Sequence, residues 1–160
     1  MPNAEVKLLI VDDEVSIRTS LSELFSALGY CVRSAGDGRS ALSEIQREIP
    51  EILLSDLNMP GMSGFEFLPM VRSLLPEIHV VAMSGAFSGT CVPPGIVADA
   101  FFAKGSDPAF LIKTVVLLCY KVDTTLKELQ YLCGGMVIPC LHERQVGNFR
   151  RPAATADELP

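Results

Sequence analysis

Short, nearly unbroken apolar runs alternate with amphipathic stretches through the first two thirds of this chain, and that alternation constrains the fold more than any other feature. The runs are Lys7–Val11, Tyr30–Ala35, Ile52–Ser55, Ile78–Met83 and Ala100–Ala103. Each has the length of a strand covered on both faces. Between them, Ile17, Leu21, Leu24, Phe25 and Leu28 fall on one helical face, with Gly29 at the position of a C-terminal cap. Ala41, Leu42, Ile45 and Ile49 mark a second helix stopped by Pro50, and Phe65, Leu68, Val71, Leu74 and Leu75 a third, interrupted by Pro69. Strands and helices alternating at this spacing predict right-handed βαβ units, hence an α/β fold with a parallel sheet and helices on both faces.

The runs end in polar residues. Asp12, Asp13 and Glu14 follow the first, Asp56 closes the third, Ser84 the fourth and Lys104 the fifth. Any one of these fits a helix cap, a turn or an exposed loop, but together they line the carboxyl edge of the sheet, where open α/β folds bind ligands. Carboxylates converging there repel one another by roughly 4 kcal/mol per pair at 4 Å and an effective dielectric near 20. They must take up protons or a cation. An all-oxygen set suits Mg²⁺ better than zinc. With a lysine and a hydroxyl beside it, such a site can hold a phosphoryl group, and Asp56, alone at its strand end, is the candidate nucleophile.

The stretches VDDE after the first run, SDLNMPGMSG around Asp56, MSG closing the fourth run and FFAKGSD at the fifth resemble the receiver domain of bacterial two-component response regulators, the CheY-like superfamily. The resemblance spans roughly residues 5–120. It implies a doubly wound (βα)5 flavodoxin-like sandwich with five parallel strands in the order 2-1-3-4-5. It further implies that Asp56 accepts a phosphoryl group from a sensor histidine kinase or phosphotransfer protein. Asp13, Asp56 and the backbone carbonyl of Asn58 would bind Mg²⁺ directly, with Asp12 acting through water. Lys104 would pair with phosphorylated Asp56, Ser84 would be the switch hydroxyl, and Phe101 the aromatic that turns inward as Ser84 moves.

Two departures from the family pattern stand out. Gly105 takes the place of the usual proline after the strand-five lysine, so a trans bond and a displaced Lys104 loop are expected. Between Ser84 and Lys104, Pro93-Pro94 leaves room only for a short helix from about Pro93 to Ala98. Asp107-Pro108 then opens a further helix as cap and first turn. Leu111, Val115, Leu118, Val122, Thr125, Leu129 and Leu132 repeat in steps of four and three, so this helix either continues to about residue 133 as a seam for a second copy or stops near Tyr120. The segment 121–160 is expected to be an extension, irregular or disordered toward its end.

Charge and composition exclude several classes. With 49% hydrophobic residues and a net charge of −6, the chain can bury a core but offers no basic stripe for nucleic acid. No run approaches the roughly 18 apolar residues of a membrane helix, and the N-terminus lacks the form of a secretion signal, which predicts a cytoplasmic protein without membrane insertion. The five cysteines form no C-x-x-C pair and read as buried thiols; His79 and His142 have no partner pattern. Some forty residues beyond the receiver are too few for a winged-helix output, so a stand-alone signalling switch, not an enzyme in the ordinary sense, is expected. Two alternatives are a receiver-like dimerisation scaffold and an aspartyl-phosphate phosphohydrolase. The latter needs a second aspartate two residues after the nucleophile, where Asn58 stands.

Overall fold

The computed structural model describes residues 6–88 and 91–119. Five parallel strands, β1 (Lys7–Val11), β2 (Cys31–Ala35), β3 (Ile52–Asp56), β4 (His79–Ser84) and β5 (Ala100–Ala103), form one sheet in the order β2-β1-β3-β4-β5. Among the described residues four helices accompany them: α1 (Val15–Ala27), α2 (Gly38–Arg47), α3 (Gly64–Leu74) and α4 (Pro108–Cys119). The expected strand order and doubly wound layering are both present.

Alternation along the central strands sends residues to two cores. Leu9, Val11, Leu53, Val80, Ala82 and Phe101 face α2 and α3, whereas Leu8, Ile10, Ile52, Leu54, Val81 and Met83 pack with Phe25 of α1 and with Leu111 and Val115 of α4. A buried leucine or phenylalanine contributes about 1.5–3 kcal/mol over leaving it in water, so strands apolar on both faces are what this sandwich demands. At the end of α1, Gly29 N–H donates to the Ser26 carbonyl and Tyr30 N–H to that of Phe25, while the Phe25 and Tyr30 rings meet edge to face with centroids 5.5 Å apart. Two orphan carbonyls and one apolar contact thus finish the helix where Gly29 signalled it.

The buried face of α3 differs from the expected one. Gly64, Phe67, Leu68 and Val71 are buried, while Phe65 and Leu74 are exposed. Gly64 decides this rotation. A Cβ there would collide with the Asp56 carbonyl oxygen and lie 2.6 Å from Leu57 Cα, so only glycine lets the helix start against the end of β3. The helix continues through Pro69, whose missing donor frees the Phe65 carbonyl on the solvent side.

Between β4 and β5 the expected short helix over 93–98 is absent. Pro93-Pro94-Gly95-Ile96 instead forms a turn closed by Ile96 N–H donating to the Pro93 carbonyl at 3.2 Å, with Gly95 at φ 84°. Proline followed by a positive-φ glycine is the chemistry of a type II turn, which directs the chain away from a helix. Val92, Ile96 and Ala98 pack on the core in the helix's place. The cysteines also depart from expectation, since Cys31 and Cys91 are exposed and Cys119 half-buried; Cys31 begins an edge strand and Cys91 lies in the crossover.

Asp107 caps α4 as its sequence indicated, its Oδ1 accepting from Ala109 N–H at 2.9 Å. The seam residues Val122, Thr125, Leu129 and Leu132, His142 and the extension 121–160 lie outside the described residues. Among the described residues no helix is long and apolar enough to cross a membrane.

Candidate functional site

The polar strand ends meet at the carboxyl edge of the sheet. Asp12, Asp13 and Asp56 each offer a carboxylate oxygen, all within 4.8 Å of one another. Asp12 and Asp56 are buried and Asp13 is exposed. Parallel register aligns Val11 of β1 with Ser55 of β3, so the residues after them emerge side by side. Glu14 N–H donates to Asp12 Oδ1 at 2.9 Å and fixes that carboxylate. Arg18, from the second turn of α1, donates to the carbonyls of both Asp12 and Asp13.

Lys104 bridges the two buried acids. Its Nζ stands 2.7 Å from Asp56 Oδ2 and 2.8 Å from Asp12 Oδ2. The Lys104–Gly105 bond is trans, as expected, but the lysine is not displaced from the acids. Gly105 has φ 93°, which the ring of proline cannot adopt. Burial pushes the Asp12 carboxyl above the ordinary aspartate range, and the Lys104 ammonium beside it only partly offsets this. Burial also pulls on Lys104 in the direction of neutrality, yet its close pairing with the Asp12 and Asp56 carboxylates outweighs it and holds the ammonium above its usual value.

Ser84 lies fully buried at the end of β4, and its Oγ accepts from Asn58 Nδ2 and from Ala86 N–H, each at 3.0 Å. Asn58 N–H in turn donates to Asp56 Oδ1 at 3.2 Å. Nothing in the sequence signals this side-chain link, because Asn58 and Ser84 are adjacent only through the β3–β4 register. Phe101 is buried and meets Phe87 edge to face, with ring centroids 6.3 Å apart. Phe87, in the irregular crossover, carried no signal in the sequence.

The site therefore brings together Asp12, Asp13, Asp56, Asn58, Ser84 and Lys104, with Phe101 one strand away from Ser84. Among the described residues the donor set fits a hard divalent cation: three carboxylates at one point, no nitrogen or sulfur ligand, and an Asp12 Oδ2 with the Lys104 ion pair but no aligned hydrogen bond.

Comparison with known proteins agrees with this geometry. The family model described as the response regulator receiver domain matches residues 8–115. Sporulation initiation phosphotransferase F of Bacillus subtilis is 38% identical over 78 residues, covering 49% of this chain and 63% of that protein. The chemotaxis protein CheY4 of Vibrio cholerae superposes with a TM-score of 0.63 at 33% identity, covering 72% of this chain and 99% of that one. The response regulator TrrA of Thermotoga maritima, in complex with Mg(2+)-BeF, gives a TM-score of 0.64 at 25% identity, covering 71% and 99%. In complex with the histidine kinase ThkA, the same regulator gives 0.65 at 27%, covering 71% and 98%. The chain spans about half to just under two thirds of the length of the first curated relatives it matches, a transcriptional activator among them. On the match over most of its described residues and the shared sheet order, the chain belongs to the response regulator receiver domain family.

Proposed function

We propose that this receiver is a phosphorylation-dependent switch in which Asp56 accepts a phosphoryl group from the phosphohistidine of a sensor histidine kinase or phosphotransfer protein. The observation that carries this reading is the Lys104 ammonium held 2.7 Å from Asp56 and 2.8 Å from Asp12 within a three-carboxylate cluster. One Asp56 oxygen attacks phosphorus as the P–N bond breaks, and the bonding pair leaves with the imidazole, which takes up a proton. Asp12, Asp13, Asp56 and the Asn58 carbonyl would hold Mg²⁺, which supplies positive charge to the phosphoryl oxygens when bound. Lys104 follows the charge as it passes from carboxylate to phosphoryl group. Ser84 exchanges its hydrogen bonds to Asn58 and Ala86 for one to the phosphoryl oxygens, and Phe101 repacks behind it, biasing a two-state surface around β4 and β5.

The test is intact-mass spectrometry after exposure to Mg²⁺ and acetyl phosphate, and separately to a phosphorylated kinase. A hydroxylamine-labile gain of one phosphoryl group in the wild type, absent from Asp56→Asn, is the expected result. No gain from either donor overturns the reading.

A further inference from the structure

Arg18 lies outside the acidic cluster, yet it holds the backbone from which two of the three acids hang. Its Nη1 donates to the Asp12 carbonyl at 2.6 Å and to the Asp13 carbonyl at 3.1 Å. The same nitrogen sits 3.3 Å from the point that a Cβ on Gly36 would occupy, so the guanidinium lies against the turn after β2. That turn is itself tied in, since Asp12 N–H donates to the Ala35 carbonyl at 3.1 Å. One planar cation thus spans two successive carbonyls and rests on a site with no side chain.

We infer that Arg18 is a positioning residue for the divalent cation, clamping the Asp12–Asp13 peptide so that both carboxylates converge with Asp56. The inference rests on the proposed phosphoryl-transfer reading for the identity of the cation, Mg²⁺. Neighbouring like charges drive these carboxylates apart, and Asp13, being exposed, has room to swing away. Hydrogen bonds to charged donors are the strong ones, so a two-carbonyl clamp is suited to resist that drift. Groups that orient metal ligands without touching the metal typically govern affinity by 10–100-fold. The clamp and the charge of Arg18 act in opposite directions. Removing a cation beside an acidic site strengthens its attraction for Mg²⁺, whereas removing a clamp weakens it.

The experiment is a calorimetric titration of MgCl2 alone into the wild type, Arg18→Met, Arg18→Lys and Gly36→Ala, with thermal denaturation of each. Arg18→Met is expected to bind Mg²⁺ about tenfold more weakly. Arg18→Lys keeps the charge but replaces the planar guanidinium that rests on Gly36 with a compact ammonium on a flexible stem, so it should also lose affinity. Gly36→Ala keeps every charge and pushes the guanidinium by a few tenths of an ångström, so it should weaken binding by a smaller factor. In phosphorylation by acetyl phosphate, the half-saturating Mg²⁺ rises in the variants while the rate at saturating Mg²⁺ returns to that of the wild type. Unchanged or tighter Mg²⁺ binding in Arg18→Met overturns the inference, as does a lowered saturated rate with the half-saturating concentration unmoved. Should Arg18→Met fail to fold, wild-type affinity in both Arg18→Lys and Gly36→Ala overturns it equally. A wild type that binds no Mg²⁺ defeats the underlying reading instead, and the inference with it.

Discussion

Lys104 Nζ stands 2.7 Å from Asp56 Oδ2 although a trans peptide and a glycine follow the lysine. Strand pairing explains why the loop's conformation matters so little here. Ala103 is in register with Ser84, and Lys104 N–H donates to the Ser84 carbonyl at 2.8 Å, so the lysine's backbone is fixed before Gly105 begins.

Lys104→Met should therefore expose the conflict that the lysine resolves. Two buried carboxylates lose their shared partner, and removal of one member of a buried ion pair costs about 3–5 kcal/mol. Urea denaturation in EDTA should register that loss. Saturating Mg²⁺ should narrow the gap to the wild type, because a bound cation supplies the missing charge. A gap that Mg²⁺ leaves unchanged would contradict this account.

Asp12 gives the pH dependence its sign. Burial raises its folded-state pKa above the value near 3.9 of an unfolded aspartate. The folded protein therefore holds a proton that the unfolded chain has lost, and stability falls as pH rises through the folded pKa. Below about pH 4 the penalty is absent. In EDTA, Asp12→Asn should be more stable than the wild type at neutral pH, with the difference shrinking toward pH 4. Denaturation midpoints across pH 4–8 check this.

Asp37 has the opposite sign. As the N-cap of α2 it accepts from Ser40 N–H at 2.8 Å, and that bond holds its carboxyl below the ordinary range. Its contribution is present above about pH 4 and is lost as pH falls through the folded pKa. Asp37→Ala should cost about 1 kcal/mol at neutral pH and less in acid. Thermal denaturation at pH 7 and pH 3 separates the two.

Gly64→Ala should be among the more damaging single-methyl additions in the chain. The added Cβ meets the Asp56 carbonyl and Leu57 Cα, which are backbone atoms and cannot rotate away. Overpacking of this kind costs typically about 1–3 kcal/mol, and relief must come from moving α3 off β3. Both Tm and the rate of phosphorylation by acetyl phosphate should fall. Loss of Tm with an unaltered rate would mean that Asp56 does not feel the shift.

Much of this was legible from residue order alone. Lys7–Val11 and Ala100–Ala103 are strands at the bounds their apolar runs predicted, and Asp12, Asp56, Ser84 and Lys104 converge because parallel strands deliver their carboxyl ends to one edge. Features that depend on rotation about an axis were not. Apolar spacing in α3 put Phe65 on the inward face, whereas the contact of Gly64 with β3 turns Phe67 inward instead. Pairings between separate elements, such as Asn58 with Ser84 or Arg72 with Asp99, join residues far apart in sequence and leave no local pattern. The prolines at 93 and 94 were read as the first turn of a helix, whereas the glycine after them closes a turn instead.

That turn makes resistance to hydrogen exchange uneven across the sheet. A helical crossover would carry its own ladder of amide bonds beside β5. Here the described part of the crossover offers the Ile96 turn bond and, at its end, Asp99, whose N–H donates to the Val80 carbonyl at 2.8 Å and whose carboxylate accepts from Val80 N–H and from Arg72. Opening free energies follow such local bonding and burial. The β4–β5 end should therefore exchange its amides well before β1 and β3, making it the part of the molecule that least energy can rearrange.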